Sequence, residues 1–343
     1  MRAWQCAAPG PLETTLKLVT DAPRPSSQAL HKGELLVAVA RAGLNPADYK
    51  LLGLGIASRA LTQFPKTPGM DFSGRVVAVA EDVDDVKPGD KVLGRVLAGK
   101  SGGTLGEVVV ARRDACAVMP EGVDWDEAAG MPTAGLTAYL TIAPHVAAAP
   151  RVFINGGSGG VGLLGIQVAK ALGCRVTVTC STGKAALCRS VGADDIIDYK
   201  TTDVITALKQ QGPVFSLAVD NVGCAPPDLH AASHHFLLPS APFVFVGGAV
   251  TYGSAMSLAR SVLLPGWLGG GRRRFVVYNV YNDQEALETL VRWMAEGKVR
   301  TVVDSAVEFE DVPEAYGQLR KGSSAGKIIV RVGDGDDGSG DGK

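Results

Sequence analysis

Cysteine is too sparse and too scattered to organise this chain. Cys6, Cys116, Cys174, Cys180, Cys188 and Cys224 form no C-x-x-C pair. That spacing argues against a zinc ribbon and a disulfide framework and leaves reduced, mostly buried thiols as the expectation. An excess of one charge is missing too. Lys and Arg number 34 against 35 Asp and Glu, a formal net charge of -1, so no overall pull toward nucleic acid or an anionic membrane is expected. No apolar run is long enough to span a bilayer. The N-terminal MRAWQCAAPG has neither a signal-peptide core nor an Arg- and Ser-rich presequence. These absences leave a cytoplasmic protein with a small-molecule substrate, no nucleic acid and no membrane span.

What is present starts with room: 343 residues accommodate two domains, each with its own core. The chain is organised around RVFINGGSGGVG, residues 151–162. An apolar run, Val152 to Ile154, meets a glycine-rich turn, and VGLLGIQVAKALG follows with apolar residues at helical spacing. This reads as strand, tight loop, helix. Gly157, Gly159 and Gly162 fit G-x-G-x-x-G, with Ser158, Gly160 and Val161 completing the turn. The first two glycines let the backbone approach a pyrophosphate, the third lets helix and strand pack closely, and the helix N-terminus supplies N–H donors. A glycine-rich turn alone is a weak signal, so the surrounding pattern matters.

Upstream, LLVAVARAGLNPADY (35–49) alternates and then turns at Asn45 and Pro46, and residues 69–110 hold short strands between Pro-Gly-Asp and Gly-Gly turns. A compact β-barrel-like domain is expected there. After Pro120, WDEAAGMPTAGLTAYLTI reads as helix. Strands are then expected at 151–154, 175–180, 194–197, 214–219 and 243–246, with helical segments between, which is the pattern of a doubly wound parallel sheet. A helix over 283–299 precedes short strands near Val302 and Ile328, which are expected to rejoin the first domain. The tail GDGDDGSGDGK cannot bury anything and is expected to be disordered.

The second strand of the sheet ends in Cys180-Ser181-Thr182-Gly183-Lys184. An acidic residue there would accept from the free 2′-hydroxyl of NADH; here a hydroxyl and an ammonium stand ready for a 2′-phosphate, so NADPH is favoured. Tyr199, just after the third strand, adds a hydroxyl to the same place. Asn221, Val246, Gly247 and Gly248 stand at later strand ends, where ribose and nicotinamide contacts collect.

The stretches AGLNPADYK, PGMDFSGRV, KPGDKV, GMPTAGLTAY, INGGSGGVGLLGIQVAKALG, VGADDIIDY and AGKIIV resemble, in order, those of the medium-chain dehydrogenase/reductase superfamily, specifically its zinc-independent quinone oxidoreductase branch. The resemblance implies an α/β fold: a GroES-like β-rich catalytic domain over 1–130, completed by 300–332, a central Rossmann domain over 131–299 and a disordered tail over 333–343. It implies a homodimer, and NADPH held between the two domains. The three points at which zinc-dependent members place ligands carry Asn45, Met70 and Thr133. These lack the thiolate, imidazole or carboxylate that zinc requires, so no metal is expected. Adjacent His234 and His235 read as a loop feature.

Without a Lewis acid, hydride addition suits a conjugated acceptor, whose negative charge spreads into an enolate or hydroquinone anion. The resemblance places Tyr49, Lys50 and Thr133 as the catalytic candidates. Tyr49 is the first choice for proton donor or substrate orienter, Lys50 for an enolate-stabilising ammonium, and Thr133 for a hydroxyl donor. Asn45 and Thr137 are expected beside the nicotinamide, with Lys327 and residues 275–280 closing its pocket. Asp48 and Asp71 are expected to orient loop backbone. Lys50 departs from the commonest quinone-reductase pattern and resembles fungal enoyl reductases that act in trans with a polyketide synthase. The leading reading is an NADPH-dependent reductase of quinones or α,β-unsaturated carbonyls. The alternatives are a trans-acting enoyl reductase, partnered by a carrier protein and drawing on Arg272, Arg273 and Arg274, and a weakly catalytic NADPH sensor or structural protein.

Overall fold

The structure, a computed structural model, describes residues 1–334 apart from 54, 98–101, 147–149, 224, 248–251, 265–267 and 269, without the side chains at 56, 252–255, 257 and 258. Gly248 and the tail from 335 onward, for which expectations were stated, lie outside the described residues.

The chain opens with β1 (Ala3–Cys6), the short helix α1 (Leu12–Thr15) and β2 (Leu16–Val19), the two strands pairing antiparallel. Next come β3 (Glu34–Gly43), α2 (Pro46–Leu52), β4 (Asp71–Val79), β5 (Lys91–Arg95), β6 (Val108–Arg112), β7 (Cys116–Val118), α3 (Trp125–Gly130) and α4 (Pro132–Ile142). The segment after β3 is thus a helix where a loop was expected. Pro46 sits at its first turn, and Asn45 and Asp48 close a capping box across its start.

From β8 (Arg151–Asn155) the chain alternates: α5 (Gly160–Ala171), β9 (Arg175–Cys180), α6 (Ala185–Ser190), β10 (Asp195–Asp198), α7 (Val204–Gln211), β11 (Leu217–Asp220), β12 (Phe243–Phe245), α8 (Tyr252–Leu263) and β13 (Phe275–Val277). It closes with α9 (Gln284–Ala295), β14 (Val303–Glu308), α10 (Val312–Lys321) and β15 (Lys327–Arg331).

Two compact units result. One comprises Met1–Leu136 with the chain from Asn282 onward, the other Thr137–Tyr281. The boundaries expected at 131 and 299 therefore move to 137 and 281. The physical reason is α9, which buries Leu287, Leu290, Val291 and Met294 and packs on β7 in the first unit. Its amphipathic period announces a buried face without saying which core receives it.

In the first unit the sheet order is β14-β15-β3-β4-β5-β7, with β6 also on β3. The central strand β3 is buried on both faces because α3 lies against it; a Cβ on Gly43 would stand 2.3 Å from the Ala129 carbonyl oxygen. Register shifts at Leu36/Val37 and Val39/Arg41 bend β3 and β4. Leu35, Val37, Phe72, Phe309 and Tyr316 fill the interior.

The second unit is a parallel sheet ordered β10-β9-β8-β11-β12-β13. Its order reverses between β8 and β11, the switch point beside which such sheets bind ligands. Phe153, Phe215 and Phe236 meet at centroid distances of 5.9 to 6.3 Å beneath it. The sixth strand, β13, falls in the segment read from sequence only as pocket lining. No helix among the described residues is long and apolar enough to cross a membrane.

Candidate active site

The glycine-rich turn of the second unit follows β8 directly. Gly156 takes φ +83, and a Cβ on Gly162 would stand 2.1 Å from the Gly156 carbonyl oxygen. A Cβ on Gly157 would meet the Val178 side chain at 2.6 Å. Any side chain at 157 or 162 would push turn, strand and helix apart. Gly159 occupies the N-cap of α5 and offers no side-chain cap, so the first N–H groups of the helix face outward with its dipole behind them. Ser158 is buried in the turn, and Gly160 and Val161 start the helix.

Beneath the turn lies a polar stitch that the sequence reading passed over. Thr179 Oγ1 donates to Asn155 Oδ1 at 2.6 Å and accepts from the Gly156 amide at 2.8 Å, while the Gly157 amide donates to the Thr179 carbonyl at 2.8 Å. Asn155 Nδ2 donates to Asp220 Oδ1 at 2.8 Å, and the same oxygen accepts from the Val222 and Gly223 amides, each at 3.0 Å. Three strand ends are thereby tied together. A polar residue in each of the apolar strands VFIN and TVTC was the available signal.

Two groups of expected cofactor residues gather at strand ends. Asn221, Val246 and Gly247 follow β11 and β12: the Asn221 amide donates to the Asn155 carbonyl at 3.2 Å and the Val246 amide to the Asp220 carbonyl at 3.0 Å. Asn221 Oδ1 is buried without a hydrogen-bond donor among the described residues. Ser181, Lys184 and Tyr199 meet at the ends of β9 and β10, through Lys184 N–H to Ser181 O at 2.9 Å and Tyr199 N–H to Cys180 O at 3.2 Å. Tyr199 is 52% exposed. The end of β9 itself lacks a carboxylate, but the neighbouring strand brings Asp198 to it, accepting from the Thr182 hydroxyl and from the Lys200 amide at 2.9 Å. Those donors hold its carboxyl below the usual range and so ionised. Thr137 is buried in α4, its carbonyl accepting from the Thr141 hydroxyl at 2.7 Å.

In the first unit the expected residues Asn45, Thr133 and Lys327 converge on Asp71. Strand ends set the arrangement: Asn45 follows β3, Asp71 opens β4, Arg95 closes β5 and Lys327 opens β15. Asp71 is 0% exposed and Lys327 4%. Lys327 Nζ donates to Asn45 Oδ1 at 2.6 Å and to the Leu44 carbonyl at 2.9 Å, and lies 3.4 Å from Asp71 Oδ2. Asn45 Nδ2 donates to that same oxygen at 2.9 Å. Asp71 Oδ1 accepts from the Thr133 amide at 3.1 Å and from its hydroxyl at 2.5 Å. Arg95, fully buried and also passed over from sequence, donates from Nε to Thr133 Oγ1 at 3.2 Å and from a terminal nitrogen to Asn282 Oδ1 at 3.0 Å. Lys327 thus directs its protons into this array.

Tyr49 and Lys50, neighbours on α2, point about 100° apart around the helix. The Tyr49 ring packs on the apolar core with the Arg320 guanidinium 4.8 Å above it, and burial raises the phenol pKa. Lys50 is half-buried, and burial lowers its pKa.

The zinc question is settled by donor chemistry. Asn45 and Thr133 are neutral groups tied to Asp71, and the place beside them holds an ammonium, so the residues do not fit zinc and no step runs through it. Among the described residues no cluster of three or more His, Cys, Asp or Glu is set to hold a metal. The His234 and His235 rings lie 3.9 Å apart on the short helical segment after His230. Of the three arginines, Arg273 donates to the His234 and Leu237 carbonyls, while Arg272 and Arg274 are exposed.

Comparison with known proteins bears on the family. Residues 31–146 match the family model described as alcohol dehydrogenase GroES-like domain, and residues 191–330 the one described as zinc-binding dehydrogenase. The chain is 45% identical over 344 residues to the trans-enoyl reductase pgmF of Aspergillus terreus, covering 97% of this chain and 96% of that protein. It is 32% identical to the chloroplastic quinone-oxidoreductase QR1 of Triphysaria versicolor, covering 87% and 90% of the two chains. The quinone oxidoreductase of Coxiella burnetii superposes with a TM-score of 0.83 at 31% identity, covering 97% of this chain and 99% of that one. A GroES-like unit, a Rossmann unit built to bind a nicotinamide cofactor, and full-length relatives on both sides lead to one assignment: the chain belongs to the medium-chain dehydrogenase/reductase superfamily, in its quinone-oxidoreductase-like branch, and is an oxidoreductase.

Proposed function

We propose that the protein uses NADPH to reduce a carbon–carbon double bond conjugated to a carbonyl, and that its acceptor is an enoyl thioester supplied by a separate polyketide synthase. The observation that carries this reading is the 45% identity, across nearly the whole chain, to a protein named a trans-enoyl reductase. Lys50 on α2 supports it. A quinone acceptor is the second reading, favoured by the 31% identity to a quinone oxidoreductase of the same fold.

When bound, the dinucleotide supplies a hydride. The chain's own residues do the rest. The turn at Gly157 to Gly162 and the open N-terminus of α5 hold a pyrophosphate. Ser181, Lys184 and Tyr199 hold a 2′-phosphate. Asn221 Oδ1, buried and unsatisfied, offers an acceptor to a ribose hydroxyl. Thr133 donates its hydroxyl proton to Asp71, so stabilising an enolate oxygen and returning a proton fall to Lys50 instead.

The test is loss of absorbance at ~340 nm, the reduced nicotinamide band, with NADPH or NADH against quinones, enones, enoyl thioesters and saturated ketones, with and without a chelator. Chelator-resistant oxidation of NADPH by enoyl thioesters is expected. Turnover confined to quinones would move the assignment to the second reading, and NADPH-stabilised protein without turnover of any acceptor would move it to a sensor. Lys184→Ala is expected to raise KM for NADPH about tenfold and leave that for NADH within about twofold; equal changes for both would remove Lys184 from the phosphate site.

A further inference from the structure

A second group of buried charges lies beneath the Asp71 array, and the reaction as described makes no use of it. Asp48, on the first turn of α2, and Lys66, in the loop before β4, are both buried, and Tyr316 of α10 is fully so. Asp48 Oδ2 accepts from the Asn45 amide at 2.8 Å and from the Tyr316 hydroxyl at 3.3 Å. Lys66 acts on Asp48 by charge, and it also acts on Cys6 of β1, whose amide donates to the Lys66 carbonyl at 2.9 Å. Asn45 is therefore gripped twice, by Asp48 through its backbone and by Asp71 through its side chain, with Lys327 donating to its side-chain oxygen.

The Asp71 charge repels that of Asp48, and burying the two carboxylates with two lysines costs desolvation free energy that hydrophobic side chains would not. Such a cluster holds its neighbours in one arrangement only while its charges stay paired. We infer that Asp48, backed by Tyr316 and Lys66, is a positioning residue whose ionised carboxylate fixes Asn45 and the first turn of α2, and through them Lys50, without itself touching substrate or cofactor. This rests on the enoyl-reductase reading in one respect, that Asn45 and Lys50 serve the reaction.

The charges around Asp48 set a direction. Burial, and then the charge of Asp71 on β4, raise its carboxyl; the Asn45 amide, Lys327 on β15 and the Tyr316 hydroxyl lower it, and the balance lies at about 7. Burial pushes Lys66 down to about 8. On α2 itself, Lys50 is half-buried and Tyr49 faces Arg320 of α10 and Glu13 of α1. Both charged forms are the majority only between about 7 and about 8. Below that window Asp48 gains a proton and weakens its hold on Asn45 and Tyr316.

The experiment is a profile of kcat/KM against pH with a crotonyl thioester, together with infrared titration of the protonated-carboxyl band in the cofactor-free protein. Wild type is expected to lose activity on the acid side of about 7, with the infrared band appearing in step. Asp48→Asn, which keeps an acceptor oxygen, is expected to lose both the acid limb and the band, at a kcat/KM about tenfold lower at the optimum. Tyr316→Phe removes a hydrogen bond that holds the carboxyl down, so limb and band are expected to move to higher pH. An acid limb unchanged in Asp48→Asn would overturn the inference, as would an infrared band that survives the substitution. If no enoyl thioester is turned over, the enoyl-reductase reading fails by itself, while the infrared titration still decides whether Asp48 is the group that ionises near neutrality.

Discussion

Lys50→Met is expected to lower kcat for enoyl reduction about a hundredfold and to leave NADPH affinity within about twofold, because it removes a charge that acts on the developing enolate and not on the cofactor. Addition of hydride to the β-carbon of a conjugated carbonyl sends a full negative charge toward the carbonyl oxygen. In water that charge is solvated after it forms. An ammonium fixed on a short helix and half-withdrawn from water meets it without reorganisation, which is where such a group gains its effect. Burial pulls the Lys50 pKa down, so its proton is released more readily than from a free lysine. The sign follows: the working ammonium is complete at low pH and is lost as pH rises through that lowered value, giving an alkaline limb that Lys50→Met abolishes. Single-turnover rates and NADPH binding by fluorescence separate the two parameters. A kcat within threefold of wild type would return Lys50 to the role of a solvated surface residue.

The glycine-rich unit was legible because its constraint is local. Gly157 and Gly162 stand where any Cβ would meet Val178 or the Gly156 carbonyl, so the motif records close approach directly in residue type. The positions of the strands from 151 to 246 were legible for the same reason, since each apolar run is bracketed by its own turn. The first-unit site was legible only in part. Asn45, Thr133 and Lys327 were expected near the reaction, and they do gather, but on Asp71, whose role as the hub depends on four strand ends that no sequence window spans. Arg95 lies in KVLGR, which reads as an edge charge until β5 and α4 bring it to Thr133. Asp198 lies 14 residues beyond Lys184, outside the segment read for the ribose contact; parallel pairing of β10 with β9 carries it in. The partners of buried polar groups are long-range facts, whereas glycines, caps and alternation are short-range ones.

Lys327→Met is expected to destabilise the first unit by about 3–5 kcal/mol, the usual cost of stranding one member of a buried pair. The ammonium satisfies three oxygens at once: the Leu44 carbonyl, Asn45 Oδ1 and Asp71 Oδ2. Without it, Asp71 keeps hydrogen bonds from Thr133 and Asn45 but loses its opposite charge at 0% exposure, and the Leu44 carbonyl is left without that donor. Trp4, Trp125 and Trp293 all lie in this unit, so denaturant unfolding followed by tryptophan fluorescence reads it preferentially. Because the pair is enclosed, raising salt is expected to change the loss little, unlike that of the exposed Arg331–Glu308 pair. The double variant Asp71→Asn with Lys327→Met removes both charges and is expected to recover part of the loss, since a neutral amide there costs less than an unpaired carboxylate. A single-variant loss below about 1 kcal/mol would mean that water reaches Asp71 and that the array does not hold the strand ends. If the loss is large and the double variant recovers stability without activity, the ion pair serves to align Asn45 and Thr133 as well as to hold β15 against β3.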